Sequence, residues 1–504
     1  MIARDVTGPS PALVTARPAL ALMSGRTIGF AASFLIPVVL ARVLDQADFG
    51  TYKQFFLIAA TLYGIGQLGM AESLFYFLPR APAEAGRFVA NAVLALSAGG
   101  LGCLVALGLW GGTFARWLAN PELDRHGMLL GGYLALAIPA AALEIAMIAR
   151  KRHRLAASVY AVGDLARALC LIVPALVTGD LGWLFVGALA FAALRCALAL
   201  GYLAGAFTTR LMPDASLLRT QIAYTAPFAL AGLVEIIQVN VHQYWVAARF
   251  DAATFAVYAV GCLQIPLVEV AITSVLNVMM VRMSEETEAG RARAAVAVWH
   301  DSVRHLALML FPLAAFFMVA AQPVIVLLFT ERYAASAPVF AASCLALLVP
   351  VVAVDAVLRV HAETRTLFGL NVVRLAVTVA AIGPLVAGVG LVGAVLATVI
   401  AAAAAKALGL ARIAVVMRLG LAWLLPWSSL GRILVAALAA AVVALAVRAE
   451  MASGPLVTLA AMGTAYGVAY VAALWILGGL SESERMAIKV RLARRVVAAG
   501  ESRR

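Results

Sequence analysis

Residues Ala41–Tyr52 read A-R-V-L-D-Q-A-D-F-G-T-Y and join two long apolar runs. A related stretch, A-R-F-D-A-A-T-F-A-V-Y, follows about 206 residues later at Ala248–Tyr258, and it also lies between two apolar runs. Four positions match at one constant offset: Asp45, Ala47, Phe49 and Tyr52 correspond to Asp251, Ala253, Phe255 and Tyr258. The correspondence indicates that the second part of the chain is a diverged copy of the first.

A second pair of segments supports this duplication. Leu134–Pro139, followed by Glu144, resembles Leu345–Pro350, followed by Asp355, at an offset of about 211 residues. Internal repeats of this length are common in secondary transporters.

The composition predicts an integral membrane protein. Hydrophobic residues make up 64% of the 504 residues, charged residues 12%, and the mean hydropathy is +1.00. A soluble domain of this size could not bury so much apolar surface. The net charge of +13 does not indicate nucleic-acid binding, because the basic residues are spread over short loops between apolar runs.

Apolar runs of about 20 residues divide the chain into about fourteen predicted transmembrane helices, since only helices or closed barrels satisfy their backbone in lipid. The predicted spans are 20–41, 54–77, 88–112, 127–149, 155–177, 183–206, 221–247, 255–281, 301–321, 338–361, 367–387, 391–413, 431–448 and 456–478.

The loop charges predict the orientation of these helices. With both termini in the cytoplasm, the cytoplasmic segments carry 24 Lys or Arg residues and the outer segments carry 7. This bias follows the positive-inside rule.

The fold class predicted is therefore all-α, with two pseudo-symmetric lobes of six helices and two extra C-terminal helices. An even number of helices in each repeat makes the repeats parallel. The predicted parts are a cytoplasmic tail (1–19), an N-lobe (20–206), a cytoplasmic linker (207–220), a C-lobe (221–413), two further helices (431–478) and a basic tail (481–504), which is either an amphipathic helix on anionic lipid or a solvated tail.

Thirteen charged residues fall inside or at the edge of predicted spans. The basic ones are Arg26, Arg167, Arg195, Arg304, Arg359, Arg374 and Lys406, and the acidic ones are Glu72, Glu144, Asp164, Glu235, Glu269 and Asp355. A charge at the bilayer centre costs about 2.5–3.5 kcal/mol on insertion scales. We therefore predict a polar cavity between the two halves.

Helical spacing predicts some of the pairings. Asp164 and Arg167 are three residues apart and Asp355 and Arg359 four apart, so each pair shares a helix face. These bridges either line the cavity or only neutralise each other. The residues without an acid at such spacing, which must find partners on other helices or on an anionic ligand, are Arg26, Arg195 and Arg374. Arg304 and Lys406 lie near helix ends and are expected to snorkel to the interface.

Three predicted helices carry a polar stripe. The stripes are Glu235, Gln238 and His242; Glu269, Thr273 and Asn277; and Asn371, Arg374 and Thr378. Such stripes favour a water-filled groove, although interhelical hydrogen bonding needs similar residues.

Three motifs resemble those of the polysaccharide-transporter branch of the multidrug/oligosaccharidyl-lipid/polysaccharide (MOP) superfamily, the Wzx-like O-antigen and exopolysaccharide flippases. They are V-L-A-R-V-L-D-x-x-D-F-G-x-Y at Val39–Tyr52, G-x-x-E-S-L-F-Y-F-L-P at Gly69–Pro79, and F-x-x-R-Y-A-x-S-A-P-V-F at Phe329–Phe340. The resemblance extends from about residue 20 to 480.

The resemblance implies a MATE/MOP-type fold and a central cavity whose basic residues meet the head of a lipid-linked oligosaccharide. The candidates for contact with diphosphate or acidic sugars are Arg26, Arg195, Arg359 and Arg374, with Arg167 as a further cavity cation. Arginine suits this role because its planar fork binds phosphate oxygens. The opening expected of lipid II flippases is only faint at Ser24–Gly29, which argues against the peptidoglycan precursor as substrate.

These features predict a flippase of the bacterial inner membrane that moves an undecaprenyl-diphosphate-linked repeat unit by alternating access. Coupling to H⁺ or Na⁺ is assigned to Glu72, Glu144, Glu235, Glu269 or Asp355, and the predicted partners are membrane lipids, a polysaccharide polymerase and chain-length proteins. The alternatives are a drug or cation antiporter, a lipid II flippase and a membrane enzyme. The sequence contains no Walker A motif and no metal-spaced His or Cys cluster, so we predict a transporter without a cofactor.

Overall fold

The computed structural model describes residues 27, 29, 31–207, 211–265, 268–451 and 453–479. Within these residues the secondary structure consists of α-helices and short 3₁₀ helices, with no β-strand. The predicted tails, 1–19 and 481–504, and the candidate cation Arg26 lie outside the described residues.

The chain divides into two compact units by its internal contacts, and the change from one to the other falls between Ala259 and Val268. Unit 1 contains the first helices: α1 (Ala31–Val43), α2 (Gln46–Gln67), α3 (Met70–Arg80), α4 (Ala85–Trp117), α5 (Glu122–Ala140), α6 (Ala142–Ala149), α7 (His153–Thr178), α8 (Leu181–Ala206), α9 (Ala215–Ala247) and most of α10 (Ala252–Gly261). A 3₁₀ turn, Pro82–Glu84, precedes α4.

Unit 2 contains α11 (Val268–Glu288), α12 (Ala292–Val319), α13 (Ala321–Phe329), α14 (Ala337–Cys344), α15 (Val354–Val360), α16 (Thr364–Val389), α17 (Leu391–Val416), α18 (Leu421–Leu424), α19 (Trp427–Glu450) and α20 (Pro455–Ile476). Two 3₁₀ helices, Glu331–Ser336 and Leu345–Val352, flank α14. The predicted linker 207–220 falls inside unit 1. The predicted lobes rest on sequence symmetry rather than on contacts, and they stay a prediction.

Twelve helical segments in the described part are long and apolar enough to cross a membrane. They coincide with twelve of the fourteen predicted spans. At the predicted span 20–41 the described part is the shorter helix α1, so the count of fourteen stays a prediction.

The continuous helix predicted at 255–281 is wrong. α10 ends at Gly261, the backbone is not helical from Leu263 to Ile265, and α11 starts at Val268. Pro266 lies in this interval of the sequence. A proline has no N–H for a helical hydrogen bond and disfavours helical backbone in the residue before it.

The two copies of the opening motif have the same local structure. Asp45 caps α2 by accepting a hydrogen bond from the Asp48 N–H at 2.8 Å, and Asp251 caps α10 by accepting one from the Thr254 N–H at 2.7 Å. Both carboxylates satisfy backbone donors that a helix start leaves unpaired. The aromatic residues that follow are buried in both copies: Phe49 and Phe255, and Tyr52 and Tyr258.

The two motif copies also touch each other. A Cβ atom added at Gly50 would collide with the backbone carbonyl of Ala252. Only glycine lets the start of α2 approach the start of α10 this closely.

Helix breaks recur at matching places in the two repeats. α5 ends just after Pro139, and the short α6 follows. In the second copy the 3₁₀ helix that contains Pro350 ends at Ala353, whose φ is +53°, and the short α15 follows. Each short helix therefore starts with an acid, Glu144 or Asp355, in its first turn.

Candidate functional site

The first ion pair of the site joins α6 to α8. The Arg195 guanidinium donates a hydrogen bond to the Glu144 carboxylate at 2.7 Å, and the Glu144 side chain is only 4% exposed. A buried carboxylate is costly without a counter-charge. The pair therefore gives the Glu144 carboxylate a counter-charge between apolar helices.

The second ion pair joins α15 to α17. Lys406 donates to the Asp355 carboxylate at 2.6 Å. The partners are 51 residues apart, as they are in the first pair, and each member lies 211 residues after its counterpart. The duplication has therefore kept the same acid–base contact in both repeats. The second pair is more open, because the Asp355 side chain is 56% exposed.

The predicted pair of Asp164 and Arg167 is present on α7. The two side chains approach to 3.4 Å, and the guanidinium also donates to the Ser33 hydroxyl on α1. Gly29 packs directly on Asp164, since a Cβ added there would collide with the carboxylate. Arg167 is thus held between two helices.

These groups form one cluster inside unit 1. The charges of Arg167 and Arg195 both act on the Tyr133 hydroxyl of α5. We call Glu144, Asp164, Arg167 and Arg195 the N-repeat polar cluster. It holds two acids and two bases, so its formal net charge is zero.

One predicted ion pair is wrong. Asp355 pairs with Lys406 rather than with Arg359, which is exposed on α15 and forms no ion pair with any residue that the structure describes. The expected position of Lys406 at the membrane interface stays a prediction. Helical spacing predicts partners only within one helix, whereas the partner of Asp355 comes from a neighbouring helix.

The remaining candidate cations occupy different surroundings. Arg195 was expected to need a partner on another helix or a ligand, and Glu144 is that partner. Arg374 is partly buried on α16 in unit 2, where its carbonyl accepts a hydrogen bond from the Thr378 hydroxyl at 2.8 Å. A single cavity shared by the five predicted basic residues stays a prediction.

The other candidate acids are exposed. Glu72, Glu235 and Glu269 have no ion-pair partner among the described residues, in contrast to Glu144 and Asp355. They lie on α3, α9 and α11 respectively.

The predicted polar stripes differ in burial. Gln238 is buried on α9, and the His242 ring lies 2.5 Å from the Tyr258 hydroxyl on α10. These two residues therefore face the protein. Asn277 and Thr273 on α11 are exposed, and the Thr273 hydroxyl donates to the Glu269 backbone carbonyl at 2.8 Å.

A cavity that the sequence analysis missed lies within unit 1. It has a volume of about 530 Å³ and is lined by α9 and by the residues around the break between α2 and α3. The break is at Leu68 and Gly69, which both have positive φ angles, 46° and 69°. The residues that line the cavity are Gly64, Ile65, Gln67, Leu68, Gly69, Glu72, Ser73, Tyr224, Thr225, Phe228, Ala229, Leu230, Gly232, Leu233 and Ile236. In the sequence, the glycines around residues 64–69 are the feature that could have indicated this break and its cavity.

A metal centre is not evident in the described ranges, where no group of three or more His, Cys, Asp or Glu side chains could hold an ion. The described residues offer ion pairs, an unpaired cation on α15 and exposed carboxylates.

The family of polysaccharide biosynthesis proteins matches residues 39–338, more than half of the chain. The chain belongs to this family. No curated protein sequence matches this chain.

Several solved structures share the fold of this family member. Lipid II flippase MurJ in an inward closed conformation has a TM-score of 0.68 at 13% identity, over 92% of this chain and 100% of that chain. An inward-facing MATE multidrug resistance transporter of the MOP superfamily has a TM-score of 0.59 at 14% identity, over 79% and 99%. A MOP superfamily transporter from Pyrococcus furiosus has a TM-score of 0.55 at 14% identity, over 78% and 93%. The predicted MATE/MOP-type helical membrane fold is thus confirmed.

Proposed function

We propose that this protein is a flippase, not an enzyme, and that it moves an undecaprenyl-diphosphate-linked oligosaccharide repeat unit across the bacterial inner membrane. The product would serve the synthesis of O-antigen, capsule or exopolysaccharide. The observation that carries this proposal is the family match over residues 39–338, which connects a transporter fold with polysaccharide synthesis.

Alternating access of two lobes is the proposed mechanism. The two repeats support it, because each contains an interrupted helix that is tied to a later helix by an ion pair, Glu144 to Arg195 and Asp355 to Lys406. Such ties let each repeat move as a unit while the contacts between lobes change.

The proposed contacts to the substrate diphosphate come from Arg359 and Arg374, with Arg26 as a further candidate. Arg359 supports this role best, because its guanidinium is exposed and has no acidic partner in the described part of the chain. Arg167 and Arg195 are already bound to acids, and we assign them to the support of the first repeat. A planar guanidinium can bind two phosphate oxygens at once and does not lose its proton.

Coupling to H⁺ or Na⁺ is proposed for acids without a basic partner in the described ranges, Glu72, Glu235 and Glu269. Glu144 and Asp355 are less suited, because protonation of either would leave a base unpaired. The proposed partners are membrane lipids and the polymerase and chain-length proteins that use the flipped unit.

The test is translocation of a fluorescent lipid-linked oligosaccharide in proteoliposomes, together with surface polysaccharide in a deletion strain. Wild-type protein should translocate the glycolipid, and Arg359→Ala should lower the rate by roughly tenfold, as expected for the loss of one charge-assisted contact. Arg359→Lys should retain part of the rate. Arg365→Ala, which removes another exposed base, is the matched control.

The proposal fails if wild-type protein moves no glycolipid and the deletion strain keeps its surface polysaccharide. An Arg359→Ala rate equal to that of wild type would remove the assigned role of Arg359 alone.

A further inference from the structure

Contacts between the α2–α3 segment and α9 border the cavity of unit 1 at two places. At one place Gly64 packs against Ile236, where a Cβ added to the glycine would collide, and at the other a Cβ on Gly69 would lie 3.6 Å from Thr225. Between these contacts, a Cβ on Gly232 would meet no atom within 4 Å. The helices thus hold an open space between them, and its volume of about 530 Å³ is within the range of sites for drug-sized ligands.

Glu72 is the charged residue that lines this space, and the lining contains no Arg, Lys or His. Elsewhere in the described membrane helices, Glu144, Asp164 and Asp355 are each neutralised by a base. Glu72 has no such partner there. A carboxylate beside an apolar cavity favours a ligand that brings a positive charge.

The remaining lining offers apolar and aromatic surface. Phe228 and Tyr224 on α9 provide two rings, and the Tyr224 ring is held in place by stacking on Tyr76 at 4.5 Å. Aromatic rings attract cations through their negative faces. Leu233 and Ile236 extend the apolar part toward Gly64.

The hydroxyl groups of Ser73 and Thr225 are already hydrogen-bonded within the protein. The Ser73 hydroxyl donates to the Met70 carbonyl at 2.7 Å and accepts from the Gln221 amide at 3.1 Å. The Thr225 hydroxyl donates to the Ile222 carbonyl. A diphosphate would be repelled by Glu72.

We propose that this cavity binds an amphiphilic organic cation, with Glu72 as the counter-charge and Tyr224 and Phe228 as the aromatic wall. This binding activity differs from the movement of an anionic glycolipid, and it uses Glu72 as a binding group in place of the ion-coupling role proposed for it above. It would occupy unit 1 without using the N-repeat polar cluster.

The test uses purified full-length protein in detergent and tetraphenylphosphonium as the probe, with binding followed by isothermal titration calorimetry. Wild-type protein should bind the probe saturably, and Glu72→Gln should weaken binding by roughly tenfold or more, the effect of losing about one ion pair. Gly232→Leu should weaken it by a similar factor because the new side chain fills the cavity. Glu84→Gln removes an exposed acid of the same unit outside the lining and should leave binding unchanged.

Circular dichroism of each variant checks its fold, and Glu72→Asp, which keeps the charge, should retain most of the affinity if Glu72→Gln does not fold. The proposal is overturned if wild-type protein does not bind the probe saturably, or if folded Glu72→Gln and Gly232→Leu bind as tightly as wild type. It is also overturned if a similar-sized anion, tetraphenylborate, competes for the site with equal affinity. Glycolipid translocation is measured separately, so either proposal can fail without the other.

Discussion

Glu144 accepts a hydrogen bond from Arg195 at 2.7 Å, across 51 residues of sequence. The same separation divides Asp355 from Lys406, which are 2.6 Å apart. Both acids begin a short helix that follows a break beside a proline, and both bases come from the later helix of the same repeat. The two pairs are therefore counterparts in a duplicated architecture, and they differ mainly in exposure.

Loss of the first pair is expected to destabilise the protein strongly. Arg195→Ala would leave the Glu144 carboxylate, 4% exposed, without its counter-charge. Breaking a buried ion pair typically costs about 3–5 kcal/mol, and we expect the lower end because Arg195 keeps 29% exposure. Thermal unfolding in detergent, followed by circular dichroism, measures the change. The double variant Glu144→Gln with Arg195→Gln should recover part of it, and an unfolding temperature as low as that of the single variant would contradict this account.

Loss of the second pair should lower the free energy of unfolding much less. Lys406→Ala leaves Asp355 with a side chain that is 56% exposed and can be solvated. Exposed pairs contribute about 0–1 kcal/mol. The same unfolding measurement should therefore show a small shift for Lys406→Ala beside a large one for Arg195→Ala. Equal shifts would mean that exposure does not distinguish the pairs.

Gly50→Ala should destabilise the contact between the two motif copies. The added methyl group would collide with the Ala252 carbonyl, so the backbone must move. Overpacking of this kind costs about 1–3 kcal/mol. Gly102→Ala on α4 is the control, since a Cβ there meets nothing within 4 Å and alanine favours helix. A neutral Gly50→Ala, measured by thermal unfolding, would show that the helix starts can separate without cost.

The Asp214 carboxylate, at the start of α9, is expected to stabilise the folded protein in a pH-dependent way. Its pKa lies below the ordinary value of 3.8 because the carboxylate accepts hydrogen bonds from the Ser216 hydroxyl and the Leu217 N–H, with Arg87 adding an attractive charge. A lowered folded-state pKa means that the stabilisation is complete above about pH 3.8 and is lost as the pH falls through the folded-state value.

Asp214→Ala should therefore lower the unfolding temperature at pH 7, and the difference from wild type should shrink below about pH 3.8. Circular dichroism in detergent, from pH 7 to pH 3, measures the unfolding temperatures of wild type and of Asp214→Ala. Asp124→Ala, an exposed acid of α5, controls for the loss of a negative charge. A difference that stays constant down to pH 3 would show that ionisation of Asp214 does not matter.

The sequence predicts the positions of most helices because each needs one long apolar run, and such runs are visible without tertiary information. The equivalence of Asp45 and Asp251 is also visible, because the same cap chemistry is needed at each helix start. The pair of Asp164 and Arg167 follows from spacing on one helix.

The partners of Glu144 and Asp355 do not follow from spacing, because they lie on other helices. One signal was present, since Arg195 and Lys406 are separated by the same 211 positions as the two acids. The cavity beside Glu72 depends on the backbone turn at Leu68 and Gly69 and on the packing of α9 beside it, which no residue pattern describes. The interruption between α10 and α11 could have been expected from Pro266.

The place where Gly50 packs on Ala252 has a practical consequence for labelling. An epitope inserted beside either copy of the motif would push on the other copy, so a lost signal there would report misfolding rather than membrane sidedness. The exposed turn at Ala289–Gly290 between α11 and α12 offers a more neutral insertion point for topology reporters.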